Sequence, residues 1–380
     1  MRTLVCIALV MLLLPLTAYA QPPLPTYTSA AHCLDAATEI NVVSGPLAAR
    51  LRPTLATLQH GEAFDLRAAT ASIPLADGNW SPIVIDAWEI SDLCVSGGTV
   101  WGNHSLSSSW IEVHATNHYA EMSRSVGGIV EGLAAHNVLD GVRLNGGLGA
   151  FTVRDSWLSY IRDDCIENDT LRSGTIERTL FDGCYMGLST TPGSSQLATA
   201  DGSAETVVLR DSLMRLEPMP RPYDLNESQT PGAYLSVPGY TVEFGHSAIW
   251  KHFGSRDVNY ELRGHNIFYL EGGRTTNSPA GYDFHPKIAV CEDVTIIWLG
   301  DGRRYGRPLA TDYPGALPTN CRTLTIVTDP LVGRDLWEQA VNAWFVAHPS
   351  VGLAPSNSCE AYARPLPGGY RVPHWPRFAP

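Results

Sequence analysis

An apolar run that returns at a fixed interval constrains this chain more than any other feature. Val130-Glu-Gly-Leu-Ala-Ala is followed by Val153-Arg-Asp-Ser-Trp-Leu and Ile176-Glu-Arg-Thr-Leu-Phe, each copy starting 23 residues after the last (153 − 130 and 176 − 153). That interval is too short for a strand-helix-strand unit and too regular for a sandwich. It suits one turn of a solenoid whose short strands stack on their own copies. The run returns at Leu209-Arg-Asp-Ser-Leu-Met, 33 residues after Ile176, and the ladder resumes at Leu262 and Val294. Longer turns imply loops on one face, where binding clefts are commonly built. Before the repeats, strand-like segments begin near Ile83 and continue through Cys94 to Trp101 and Trp110 to His114.

The copies share acidic residues as well. Ten residues after the first two starts stand Asp140 and Asp163, and the third turn places Asp182-Gly183-Cys184 where its predecessor has Asp163-Asp164-Cys165. Asp140, Asp163, Asp164 and Asp182 are therefore expected to line up on rungs about 4.8 Å apart. Stacked like charges repel, so the ladder either binds a cation such as calcium or uses the raised proton affinity of crowded carboxylates. The structural alternative is that these are polar corners, where Asp, Asn and Gly tolerate positive φ. Glu167 and Asp169 enlarge the oxygen-rich group, which would suit calcium.

Composition bounds the partners. Of 380 residues, 26 are basic and 38 acidic, giving −12; loss of a leader containing Arg2 leaves 25 against 38, or −13. Nucleic acid is an unsuitable partner at that charge. Lys251 and Lys287 are the only lysines. Arginine suits bidentate contacts with carboxylates, so Arg162 and Arg172, with the rare Lys251, are candidates to hold an anionic ligand. His136, with His114 and His118, precedes the acidic group. Trp101, Trp110, Trp157 and Trp250 offer flat faces for sugar rings, or core packing in the case of Trp157.

The ends of the chain read separately. Residues 1–20 carry Arg2, an apolar run and Ala18-Tyr19-Ala20, the pattern of a cleaved secretion signal. A periplasmic or secreted protein without a membrane span is expected, and a monomer. Residues 21–80 form an extension and cap, with a short helix expected within Leu47 to His60 covering the first coil. The solenoid occupies 81–300. Residues 301–380 form a C-terminal cap, in which Asp329-Pro330 opens a helix running to about residue 348 and packing on the last coil, with a Pro-rich tail beyond. Seven cysteines remain after the leader. Cys165 and Cys184 are either a disulfide or part of a buried ladder, and Cys291 with Cys321 is the better disulfide candidate.

A 23-residue ladder with Asn and Gly at its corners resembles the right-handed parallel β-helix of the pectin lyase-like superfamily. Within it, Asp140-Gly141 followed by Asp163-Asp164-Cys165-Ile166 resembles the polygalacturonase family of glycoside hydrolases, whose motifs are Asn-Thr-Asp and Asp-Asp-Cys. The resemblance implies an all-β solenoid in which Asp140, Asp163 and Asp164 supply the acid and bases of inverting hydrolysis. Val138-Leu139 stands where the family has Asn-Thr, Tyr185-Met186-Gly187-Leu188-Ser189 where it has Gly-His-Gly-Leu-Ser, and Arg215-Leu216-Glu217 where it has Arg-Ile-Lys. The expected function is cleavage of an extended, possibly acidic carbohydrate, with Glu167, Asp182, Arg162, Arg172, His136 and Lys251 around the substrate. No motif demands a cofactor. The rivals are a uronate lyase using Lys251, and a carbohydrate-binding scaffold without catalysis.

Overall fold

The computed structural model describes residues 23–351, apart from 29–30, 54–56, 88, 106–107, 109–112, 117–118, 145, 147–148, 193–196, 218, 222–242, 246–247, 252, 272–281, 301–312 and 314. Residues 1–20, where a signal is expected, the Pro-rich tail, Trp110, His118 and Cys359 lie outside these. Among the described residues, eighteen strands form one sheet in which every pairing is parallel, coiled into a right-handed parallel β-helix. A separate antiparallel pair joins Met219–Arg221 to Glu243–Gly245.

The repeat dictates this coil. Val130, Val153, Ile176, Leu209 and Leu262 stand opposite one another on successive rungs, and each is at most 2% exposed, so the period in the sequence is the stacking period of the core. Two residues after each comes a corner at positive φ: Gly132, Asp155, Arg178, Asp211 and Gly264. A second corner stacks Asn137, Tyr160 and Gly183, also at positive φ. Hydroxyls tie the first corner together. Ser156, Thr179 and Ser212 donate to the carbonyls of Arg154, Glu177 and Arg210, and Ser156 and Ser212 accept from the backbone N–H of Leu133 and Thr179. Buried backbone groups at a bend need such partners.

The coil runs further than residues 81–300: among the described residues its first strand is Glu39–Pro46 and its last Cys321–Val327. The helix expected between Leu47 and His60 is absent from the described part of that segment. Instead Leu51 bridges Ile83, its N–H donating to Pro82 and its carbonyl accepting from Val84. Pro46 and Pro53 lack N–H donors, and a neighbouring coil offers strand partners that a short isolated helix could not match. Residues 113–114 lie in a helical turn rather than a strand.

Helix α1, Pro330–Ala347, begins where the sequence places it. The Asp329 side chain accepts from the N–H groups of Leu331 and Val332. It packs along the side of the solenoid, however, and not over its end alone. Leu336, Trp337, Ala340, Trp344 and Phe345 share a cluster with the outward column Ala134, Trp157, Leu180, Leu213 and Ile267 and with Ile297 and Val327. An 18-residue helix is about 27 Å long, close to six rung spacings of about 4.8 Å. Cys165–Cys184 and Cys291–Cys321 join neighbouring rungs, and Cys33–Cys94 ties the short 3-10 turn before the first strand to the coil.

Candidate active site

Four successive rungs on one flank meet at the acidic group. Strands β1 (Asp140–Leu144), β2 (Trp157–Glu167), β3 (Leu180–Ser189) and β4 (Trp250–Lys251) are hydrogen-bonded in that order. Arg143 faces Glu167, Glu167 faces Ser189, and Ser189 faces Lys251. Beside this column the N–H of Asp164 approaches Asp140 Oδ1 at 3.4 Å. Gly141 permits the approach, because a Cβ there would lie 2.5 Å from the Cys165 carbonyl oxygen.

The result is a buried carboxylate cluster. Oxygens of Asp140, Asp164 and Glu167 lie within 4.8 Å of one another. Arg143 bridges three acids, reaching Asp140 Oδ2 at 3.5 Å, Glu167 Oε2 at 3.1 Å and Asp169 Oδ2 at 3.2 Å. On the opposite side Lys251 Nζ stands 3.4 Å from Asp164 Oδ2. Burial, reinforced by Asp164, raises the proton affinity of Asp140 to a pKa of about 7. Burial and then Asp140 push Glu167 well above the carboxylate range. Asp164 is also raised by burial, but the Lys251 ammonium pulls the other way. Lys251 holds its proton tightly, first because of Asp164 and then against the cost of its own burial. Burial thus raises all three acids, and only Asp164 has a cation that counters the rise.

Asp163 lies at the edge of the group, its N–H donating to the Leu139 carbonyl one coil back, and its charge also favours the Lys251 ammonium. Asp182 does not join the ladder. Its partner across the rung is Ser159, four residues before Asp163, because β2 and β3 keep the 23-residue register as far as Ile161 and Cys184; Asp182 instead pairs with Arg215 at 3.0 Å. His136 sits in that same lateral column, with Nδ1 2.9 Å from the Ser159 hydroxyl, and burial, aided by Arg162, lowers its pKa to about 4. Arg162 donates to the Ser105 and Ser108 carbonyls and to Asn137 Oδ1, and stacks over Tyr160. Arg172 donates to the carbonyls of Gly149, Gly146 and Ser125. Trp157 is buried against Phe345, and Trp250 packs in the core beside Phe268 and Phe284.

Against known proteins the chain stands apart. No family model, curated protein or solved structure matches it. Function must therefore be read from the site itself. Arg143, the residue that organises the cluster, was not singled out by motif; its signal was its place one rung before Glu167. Asp140, Asp164 and Glu167 offer the hard oxygen donors that a divalent cation such as calcium takes. No helix among the described residues is long and apolar enough to cross a membrane.

Proposed function

We propose that this protein is a secreted or periplasmic polysaccharide-active β-helix, related in architecture to the pectin lyase-like superfamily, that cleaves glycosidic bonds by carboxylate acid and base chemistry. One observation carries the reading: Asp140, Asp164 and Glu167, drawn from adjoining coils, bring their oxygens within 4.8 Å, where burial raises the proton affinity of all three and the Lys251 ammonium opposes that rise at Asp164. Burial and then Asp140 hold the Glu167 carboxyl well above the carboxylate range, so it keeps a proton and serves as the general acid. Asp164, facing the Lys251 ammonium, is the carboxylate kept available as base or nucleophile, and Asp140 tunes both. The spacing is short of the roughly 6.5–9.5 Å that admits a water between inverting carboxylates and closer to the roughly 5–5.5 Å of double displacement. Retention of anomeric configuration is the expected outcome. The lyase alternative needs Lys251 to act as base, yet the surrounding carboxylates hold its proton in place.

The test is incubation of the mature protein with a panel of polysaccharides, following reducing ends, ultraviolet absorbance and the anomer of the first product by NMR. Glu167→Gln and Asp164→Asn should each lower turnover about a hundredfold or more with little change in melting temperature. Unaltered turnover in both variants, or products absorbing as unsaturated uronates, would sink the reading. A second reading, a calcium site, rests on the same three oxygens. It predicts a melting temperature that rises with added calcium and falls with chelator, and no turnover.

A further inference from the structure

We propose that a cavity apart from the acid cluster binds a single uncharged sugar ring, the end or a branch of a carbohydrate chain. It holds about 240 Å³ and lies where three parts of the chain meet: the extended segment at Tyr27 and Thr28, the first corner of the early coils, and the residues from Ala347 to Val351 that end α1. None of Asp140, Asp164 and Glu167 lines it. The sequence opens this space at the corner. Later rungs carry Asp155, Arg178 and Asp211 at the corner position, whereas the two rungs before them have Gly97 and Gly132. A Cβ on Gly132 would meet no atom beyond its chain neighbours closer than 3.7 Å, so this glycine answers the positive φ and not crowding. The room a side chain would take stays free. At about 30 Å³ for each water the cavity has space for about eight, or for one sugar ring, and it is smaller than the roughly 300–1,000 Å³ of sites for drug-sized ligands. His32 and Arg67 border it with side chains 55% and 52% exposed, so solvent reaches it past them.

The walls indicate the ligand. Their charges come in pairs: Arg67 with Asp65 at 2.7 Å, Glu131 with Arg154 at 2.8 Å and Asp155 with Arg178 at 2.7 Å. A balanced wall draws in neither an anion nor a cation. His32 gives Nδ1 to Glu131 Oε1 at 2.7 Å, which leaves Nε2 of the neutral ring as an acceptor. Thr28, Ser96 and Thr99 bring hydroxyls, which both donate and accept. Sugar hydroxyls have the same two-way capacity. The ring of Tyr27 and the apolar side chain of Val351 lie beside these groups and suit the C–H face of a sugar.

The experiment is ligand-observed NMR on the mature protein with the methyl glycosides of glucose, galactose, mannose and xylose, and with galacturonate and glucosamine as charged counterparts. At least one neutral glycoside should bind in the millimolar range, with the charged sugars at least about tenfold weaker. Thr99→Trp, which sets an indole in the cavity, and His32→Ala should each weaken that binding at least about tenfold, while Asp164→Asn should leave it unchanged. If Thr99→Trp fails to fold, His32→Ala decides. No binding of any neutral glycoside, tighter binding of a charged sugar, or binding that survives both cavity substitutions would overturn the inference. Loss of binding in Asp164→Asn would place the sugar at the acid cluster and overturn it too. Glycoside binding at the cavity in a protein that turns over no polysaccharide would uphold the cavity site and remove the cleavage.

Discussion

Glu121 shows how much one residue can cost inside a solenoid. Its strand neighbours on either side are Ile83 and Val142, it is fully buried, and neither carboxyl oxygen has a hydrogen-bond partner. Burial alone lifts its pKa to about 8. A carboxyl raised in the folded state stabilises fully below its unfolded pKa and loses that contribution as pH climbs through the folded one. Stability should therefore fall between about pH 4.5 and 8, by roughly 5 kcal/mol at 1.36 kcal/mol for each pH unit. Denaturant midpoints measured across that range should slope for the native chain and flatten by about this amount in Glu121→Gln; parallel slopes would show that Glu121 is solvated. Nothing in the sequence around Tyr119 to Ser123 marks this burial, since a lone Glu between apolar residues reads equally well as an outward position. Asp140, Asp163 and Asp164 were legible as acidic residues at a repeat spacing, and Glu167 only as a further acid beside them. Their mutual distance was not, because it depends on the register shift after Ile161; Asp182 lies before that shift, between Ser159 and Arg215 on the neighbouring rungs.

At the scale of elements, α1 is the piece whose existence was plain and whose place was not. Its N-cap at Asp329, its Pro at the first turn and its apolar stripe through Trp344 and Phe345 are local signals, and they are met. Which surface the stripe covers depends on the outward column Ala134, Trp157, Leu180, Leu213 and Ile267, an apolar seam that one helix of matching length can seal. Trp344 is fully buried and its indole N–H donates to the Arg178 carbonyl at 2.7 Å. Trp344→Ala should destabilise by about 3–5 kcal/mol, whereas Leu331→Ala, at a side chain 80% exposed, should change stability by less than about 0.5 kcal/mol. Thermal melts of the two variants check the lateral docking. Equal small effects would place the helix away from the wall.

Over the whole molecule, stability is a sum of neighbouring rungs, so the ends are the weak points. Among the described residues, the strand Cys321–Val327 pairs only with Ile288–Gly300, and Cys291–Cys321 clamps it there. Replacing both cysteines by alanine should cost roughly 3–4 kcal/mol for a separation of 30 residues. Hydrogen exchange should then accelerate first in 321–327 and leave the central coils protected; uniform acceleration would mean that the solenoid unfolds as one unit. The central architecture was readable in the chain because a solenoid stacks each residue on its own repeat: the 23-residue interval is at once a sequence period and a contact map, so Val130, Val153 and Ile176 had only one place to go. The corners followed for the same reason, since Gly132 and Asn137 suit positive φ. Tertiary structure alone decided what lies between coils of unequal length. The bend that brings Asp164 against Asp140, the arrival of Lys251 from beyond the long insertion, and the descent of α1 onto the side wall all depend on contacts between residues without a shared period. Local propensity carries no record of such distances.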